Sequence, residues 1–457
     1  GGTMTEQTEL DFEKPDNDAE LLQKLFDRAD RILIKKLSNN DRDWARYENK
    51  HQAGVYIPHE QRDGGFFPKL EIKAREKKDA DEIRECFFST TWPQVDEERE
   101  DTRLVNYTSK GQETHMTRLP KAAFKDLLPA SFLVMGRIPT GNPVYYECLT
   151  IDSGSEEADL LAEIFGFDAD FLIGEYEPVK VRTSERERIL DFVEQVIKAW
   201  LDGKIDVFAE NSAVMPNTVR LAQLAQESYL KKNALKKIDP FALEAPGDAL
   251  REISRIIEWD LFRDFQRKEK SVQLVRAVLG DAPVKVDASD VIRRLIDEFP
   301  AIDALMLSAS QQRKSRAGYS YEHHIEAMLI GGNIPFEKQV VIEAKKRPDF
   351  ILPSLAFIDG DSEQAATGLI LSAKTTLRER WKQVEREKGK RALYLTTVDE
   401  NIAGNAIEDM ASLGIHLVIP ESLMKSKSAE YEGHKNVVTF ASFCTDVVKP
   451  RLTDWAA

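Results

Sequence analysis

Cysteine is scarce in this chain. Three cysteines in 457 residues, Cys86, Cys148 and Cys444, stand far apart and share no metal-type spacing. That excludes a disulfide-stapled secreted scaffold and fits a reducing cytoplasm. No apolar run approaches the ~18 residues of a membrane span, so no membrane contact is expected. No signal peptide is expected, and Gly1-Gly2-Thr3 ahead of Met4 reads as a cloning remnant. Internal repeats and low-complexity tracts are also missing, which argues against repeat architectures. Positive charge is in deficit: 64 Lys and Arg against 79 Asp and Glu leave a net charge of −15. Taken alone, that speaks against a nucleic-acid partner.

What is present is a globular composition, 42% hydrophobic and 31% charged, enough to build real cores. A chain of this length is expected to hold two or three domains. The charge is uneven. Residues 374–391 carry eight Lys or Arg against three Glu, an excess of five, whereas Asp96 to Asp101 reads DEERED. A locally basic groove on an acidic protein can still bind DNA, with a strong salt dependence.

Along the chain, residues 5–20 form a polar, acidic tail. Residues 21–37 have helical spacing, with an end that can turn into a strand. Residues 38–52 (SNNDRDWARYENKHQ) read as a polar loop, followed by a short apolar run at 53–58. From there to about residue 178, short strands such as 69–72, 132–136, 144–150 and 171–173 alternate with Gly- and Pro-rich turns. That pattern predicts a β-barrel or sandwich of about 150 residues. A long helix follows, with Ser184 and Glu187 as its capping box and Gly203 as its stop. Its apolar stripe is Ile189, Phe192, Val193, Val196, Ile197 and Trp200. Helices are expected over 218–232, 248–268 and 271–279. Pro240 and the Pro246-Gly247 turn mark this stretch as a hinge plus the opening helices of a second domain. The last 150 residues alternate: helix 319–330, strands 338–343, 348–353 and 368–374, helix 377–390, strand 391–397, helix 402–413 and strand 415–419. Such alternation predicts an α/β sheet with at least one parallel crossover.

The chemistry gathers between Arg347 and Lys388. Pro348-Asp349 opens one apolar run, and a second ends in Ser372-Ala373-Lys374. Strand, carboxylate, strand, lysine is the layout of a metal-dependent nuclease centre. A divalent ion held by carboxylates activates water and offsets the charge built up on a phosphodiester. The frequent pattern is PD…(D/E)xK, but Ser372 occupies the position of the second carboxylate. Glu387, thirteen residues after Lys374, is the candidate replacement, although spacing alone does not bring it to a metal. Glu343-Ala344-Lys345 also fits (D/E)xK but has no preceding Pro-Asp. Arg378-Glu379-Arg380 is either a solvated helix face or a base-reading trio, since arginine matches guanine O6 and N7 and a carboxylate accepts from cytosine N4.

Further motifs extend the pattern: Arg313-Lys314-Ser315-Arg316-Ala317-Gly318, Ser320 to Glu326 (SYEHHIE), Lys346 to Phe350, Ala373-Lys374-Thr375-Thr376 through Arg380-Trp381-Lys382-Gln383-Val384, and Val418 to Leu423. Together they resemble the EcoRII-type restriction endonucleases. The resemblance implies two domains, an N-terminal β pseudobarrel of the plant transcription-factor type and a C-terminal α/β restriction-endonuclease-like PD-(D/E)XK domain. The corresponding boundaries are 4–178 for an effector domain, 179–245 for a helical hinge and 246–457 for the catalytic domain. It implies a Mg2+-dependent homodimer, joined through the catalytic domain, with Asp349, Lys374 and Glu387 catalytic and Glu322 in the metal shell. It also makes Arg378, Glu379 and Arg380 readers of a CC…GG site in double-stranded DNA. The segments 36–41 (KLSNND) and 51–58 (HQAGVYIP) are similar to the family's effector domain, which binds a further copy of the site and relieves autoinhibition. The resemblance puts effector-domain contacts at His51, Tyr56, Arg103 and Tyr107. The chain departs from the family pattern at Asn106, in place of a second basic residue, and at Phe357, in place of a tyrosine.

Other residues carry less. His323 and His324 diverge by about 100° on a helix, so they cannot share one ion, and helix packing is the expected role. Arg313 and Arg316 suit DNA-backbone or dimer contacts, or a charged surface. The expected function is a cytoplasmic type II restriction endonuclease of the kind that needs two site copies, with a cognate DNA methyltransferase as its partner. Two alternatives are a methylation-dependent endonuclease on the same scaffold and a DNA-binding module with a decayed nuclease centre.

Overall fold

The computed structural model describes residues 17–50, 52–74, 82–108, 113–168, 170–280, 287–298, 320–338, 349–373 and 391–456. They form two compact units. One comprises residues 1–127, 131–165 and 172–180, and the other 128–130, 166–171 and 181–457.

In the first unit, helix α1 (Asp18–Arg28) is followed by strand β1 (Arg31–Lys36), so the stretch with helical spacing does end in a strand. Asn17 caps α1, and the chain turns extended at Ala29. The segment expected to be a polar loop is a helix, α2 (Asn39–Arg46). Its signal is a capping box: Ser38 Oγ accepts from Asp41 N, and Asp41 returns the bond by accepting from Ser38 N. The strands that follow are β2 (Val55–Ile57), β3 (Glu71–Ile72), β4 (Ile83–Trp92), β5 (Glu97–Tyr107), β6 (Thr114–Thr117), β7 (Phe132–Ile138), β8 (Tyr145–Ile151) and β9 (Ile173–Tyr176). They pair in the order β2-β6-β5-β4-β8-β7-β1-β9, with β3 added on β4. Every pairing is antiparallel except β4 with β8. Alternate residues fill one core, including Leu33, Val55, Ile57, Phe88, Leu104, Met116, Met135 and Tyr146.

Asp41 is the hub of this unit. It is fully buried, and its Oδ2 lies 2.7 Å from the Lys35 ammonium. Its Oδ1 accepts from Tyr56 N at 2.9 Å and from Gln52 Nε2 at 3.0 Å. The two sequence segments 36–41 and 51–58 therefore meet at one carboxylate. Gly54 lies within the second of them, and a Cβ there would fall 1.9 Å from the Met116 carbonyl oxygen, so no side chain fits where β2 meets β6.

The backbone is helical from Pro178 (α5, Pro178–Leu201), six residues before the expected cap at Ser184, and the helix enters the second unit at Val181. Proline at a first helical turn is a start signal in its own right. Gly203 stops the helix at φ +70, as expected. Val196 and Trp200 pack with Ile205, Val272 and Val275, and Trp200 Nε1 donates to Gly280 O at 2.9 Å. Helix α6 (Ile205–Ser212) and helix α7 (Thr218–Lys232) follow. Helix α8 (Pro246–Glu252) runs through a π-turn at Ile253–Ile257 into α9 (Glu258–Leu279) without the expected break near Ser271. Helix α10 (Ala288–Asp297) comes next, and α11 covers 320–331.

The sheet of this unit has six strands in sequential order: β10 (Glu337–Lys338), β11 (Phe350–Leu352), β12 (Leu369–Ala373), β13 (Ala392–Thr396), β14 (Ile415–Ile419) and β15 (Val437–Thr439). The first three run antiparallel and the last four parallel. Both faces are covered, as a parallel sheet requires. Phe350, Leu352, Leu369, Leu371, Ala373 and Tyr394 pack against Leu250, Ile253, Tyr321 and Ile325. Ile351, Ile370, Leu393, Leu395 and Leu417 pack against Ile407 and Met410 of the helix Gly404–Ser412. Gly331 closes α11 so tightly that a Cβ there would sit 1.9 Å from Ile238 O.

Candidate functional site

With both faces of the second sheet buried, side chains become available mainly where its strands end. Asp349 stands one residue before β11 and is 8% exposed. Its Oδ2 accepts from the backbone N–H of Ala373 at 2.8 Å. Ala373 is the last residue of β12, directly before Lys374. The Pro-Asp turn and the Ser-x-Lys strand end, 24 residues apart in sequence, are thus joined by one hydrogen bond. On the other side of β12, Thr396 Oγ1 donates to Ser372 O at 3.3 Å, with Thr396 in register with Ala373. Ser372, at the usual carboxylate position of the motif, is fully buried.

Glu322 lies half-buried in the first turn of α11. Its neighbour Tyr321 is buried in the same core cluster as Phe350, Leu371 and Ala373, which sets this helix against the strands that flank Asp349. Burial pushes the Tyr321 hydroxyl well above the usual tyrosine range, and among the described residues it has no hydrogen-bond partner. Lys374, Glu387, Arg378, Glu379, Arg380, Arg313, Arg316 and the Glu343-Ala344-Lys345 decoy lie outside the described residues. Among the described residues no group of three His, Cys, Asp or Glu side chains gathers to hold a metal ion. Phe357 sits in the turn Leu355–Ile358 and packs against the same core.

The two histidines part company as expected. His324 is fully buried, with Gln226 Nε2 2.9 Å from its Nδ1. An amide N–H donating there leaves the ring proton on Nε2, which faces Glu258 Oε1 at 3.3 Å. His323 turns to Glu326 at 3.9 Å, and burial holds its pKa below the ordinary histidine value.

Sequence reasoning missed a polar cluster just past the end of β13. Asp399, 6% exposed, pairs with Arg255 of the π-turn, and its backbone N–H donates to Thr397 Oγ1 at 3.0 Å. The Tyr431 hydroxyl donates to the Asp399 carbonyl, and Arg251 lies 3.7 Å from Glu400. The available signal was a polar TTVDEN run at the carboxyl end of a predicted strand, where open α/β sheets bind ligands.

In the first unit, pairing registers bring three of the four expected contact residues onto one face. Tyr56 stands opposite His115, His115 opposite Val105, and Arg103 and Tyr107 follow Val105 by the period of two. His51 lies outside the described residues. Arg103 Nε donates to Glu85 Oε2 at 2.5 Å, so its charge is countered within the sheet. Beside it Phe87 is 47% exposed, with Arg118 stacked 5.3 Å from its ring centroid. Asn106 points the opposite way: it is buried, and its amide donates to Glu113 O at 2.9 Å. It belongs to the core side and is no substitute for a basic contact on the Arg103 face.

Known proteins are similar to this chain in sequence. The family model for the EcoRII C terminal covers residues 284–444, a range that holds Asp349, Lys374 and Glu387. The type II restriction enzyme SsoII of Shigella sonnei is 29% identical over 195 residues, spanning 40% of this chain and 62% of that enzyme. A structure of metal-depleted Ecl18kI with uncleaved DNA aligns with 58% of this chain and 86% of its own, at 24% identity and a TM-score of 0.43. The type II restriction enzyme EcoRII of Escherichia coli is 36% identical over 406 residues, covering 86% of this chain and 88% of that enzyme. An alignment of that depth over nearly the full length of both proteins places this chain in the EcoRII family of type II restriction enzymes.

Proposed function

We propose that the chain is a Mg2+-dependent, site-specific endonuclease that hydrolyses double-stranded DNA at a CC…GG-type site. The observation that carries this reading is the bond from Ala373 N to Asp349 Oδ2, which joins the Pro-Asp turn to the strand end preceding Lys374. A buried carboxylate fixed at a strand end is the rigid donor that a hard cation needs. Asp349, Glu387 and Glu322 would hold the ion. When bound, it supplies charge neutralisation and a more acidic water. Lys374 orients the attacking water or, in its neutral form, takes up its proton. Arg378 and Arg380 read guanine edges and Glu379 accepts from cytosine, and Arg313 and Arg316 contact the DNA backbone or the dimer partner.

Residues 246–457 form the catalytic domain and dimerise, residues 179–245 act as the hinge, and residues 4–178 form a pseudobarrel effector domain. The face holding Tyr56, Arg103 and Tyr107, together with His51, takes a further copy of the site. A nuclease of this kind in the cytoplasm needs a methyltransferase to protect the host's own copies.

The test is a digest with Mg2+ of two-site CC…GG plasmids, with and without 5-methylcytosine, followed by sequencing of the ends. The expected result is cutting of the unmethylated plasmid at CC…GG. Cutting of the methylated plasmid alone replaces this reading with a methylation-dependent nuclease. Binding without cutting of either plasmid leaves a DNA-binding module with a decayed centre.

A further inference from the structure

Strand β6 ends irregularly. Along it Thr114 and Met116 are buried while His115 and Thr117 are half-buried, so alternation alone would send Arg118 to the core side. Arg118 instead has a φ of +62, a left-handed conformation that a bulky residue rarely adopts. Its guanidinium lies over the ring of Phe87, 5.3 Å from the centroid. Phe87 belongs to the outer face: its neighbours Cys86 and Phe88 fill the core, whereas Phe87 is exposed and stands opposite Arg103 on β5. The left-handed residue therefore brings a cation from the core side to the face that holds Tyr56, Arg103 and Tyr107.

A second irregularity supplies its counter-ion. Thr90 pairs with Arg99 and Phe88 with Thr102, so β5 uses three steps where β4 uses two and bulges at Glu100–Asp101. From this bulge Asp101 Oδ2 accepts from Arg118 Nη1 at 3.2 Å. Both side chains are exposed, so the pair is weakly held. Stability does not call for the arrangement, because an exposed ion pair returns little while a left-handed backbone at a non-glycine residue is costly. Strain of this kind gathers where a ligand is held. A guanidinium stacked on a ring still presents its N–H edge, which matches a phosphate.

We propose that Phe87 and Arg118 are a DNA-backbone contact of the effector face: Arg118 exchanges the Asp101 carboxylate for a phosphate of the bound duplex, and the Phe87 ring packs on the adjoining deoxyribose. Charge selects this occupant, since a duplex offers closely spaced anions to two neighbouring arginines, 103 and 118. Asp101 keeps the second of them in place while the face is empty. This inference rests on the effector-face reading above and adds two residues to the four expected there.

The experiment uses the full-length chain with Mg2+, a one-site substrate duplex and a cleavage-resistant activator duplex, both carrying the site found by the plasmid digest. The activator concentration that half-maximally stimulates cutting is read at several salt concentrations. Wild type is compared with Tyr56→Ala, Phe87→Ala, Arg118→Asn and Asp101→Asn, with thermal melts to confirm folding. Asparagine is chosen at 118 because it tolerates left-handed backbone. Phe87→Ala is expected to raise the half-activating concentration about tenfold with the salt slope unchanged, since only apolar contact is lost. Arg118→Asn should raise it too and lower the slope of log affinity against log salt by about 0.9, the share of one phosphate. Asp101→Asn should lower the half-activating concentration about two- to fivefold, because the competing carboxylate is gone. Phe87→Ala decides the matter if Arg118→Asn does not fold. A Phe87→Ala value within twofold of wild type, an unchanged slope in Arg118→Asn, or weaker activation of Asp101→Asn would overturn the proposal. The effector reading survives that result if Tyr56→Ala still weakens activation. A wild-type chain that no activator duplex stimulates overturns the effector reading, and this inference with it.

Discussion

The two sheets of this protein offer their chemistry in different places. In the sheet of the first unit, strands β2, β5 and β6 leave Tyr56, Arg103 and Tyr107 together on one side, whereas β1, β7 and β8 are buried on both. The six-stranded sheet of the second unit is covered on both sides, so Asp349, Ser372 and Thr396 meet at its strand ends. A half-open sheet can present a surface to a partner, and small shifts across it are tolerated. An enclosed sheet presents a few atoms at a rim, where placement decides the rate. On the function proposed above, the first arrangement would hold DNA and the second would cut it.

That contrast can be broken or sharpened. The largest effect is expected at Lys374, the residue next in sequence to the end of β12: on the proposed function, Lys374→Ala should slow single-turnover cleavage by about 100- to 10,000-fold with DNA affinity unchanged, since a group that orients or deprotonates the attacking water acts on the transition state. Cleavage at the wild-type rate would remove Lys374 from the centre. Next comes the buried hub of the first unit. Asp41→Ala strands the Lys35 ammonium in a dry interior, where burial already lowers its pKa, and should cost about 3–5 kcal/mol in a denaturant melt. A loss below 1 kcal/mol would mean that the hub is not what holds segments 36–41 and 51–58 together. The smallest effect belongs to the open face. Arg103→Ala should change stability by less than about 1 kcal/mol, because its pair with Glu85 is partly solvated. If the face binds DNA phosphate, the same change should lower the slope of log K against log salt by about 0.9. An unchanged slope would move the DNA contact elsewhere.

Much of the element pattern was legible in the sequence. Residues 218–232 and 415–419 match α7 and β14 to the residue, because capping signals and apolar runs are local. The misses have local causes too. Ser38 and Asp41 are a capping box, but the helix they start is so polar that it reads as a loop. Ser184 and Glu187 imitate a box inside a helix that Pro178 had already begun. The adjacency of Asp349 and the β12 end followed from motif spacing. The Arg255–Asp399 pair did not, because it joins segments 144 residues apart and depends on strand order and on one π-turn. Asn106 shows the same limit: a single residue's parity in β5 separates a contact face from a core.

The π-turn at Ile253–Ile257 has a consequence for how this protein can change in length. It holds one residue more than an α-helix would use over the same rise. Losing one residue there would restore regular helix while Glu258 to Leu279 kept their phase relative to α8, because the turn already absorbs the surplus residue. Glu258 would stay beside His324, and Val272 and Val275 beside Trp200. A one-codon deletion would thus spare the helix's long interfaces and take away only the out-of-register aim of the turn's own side chains, Arg255 among them.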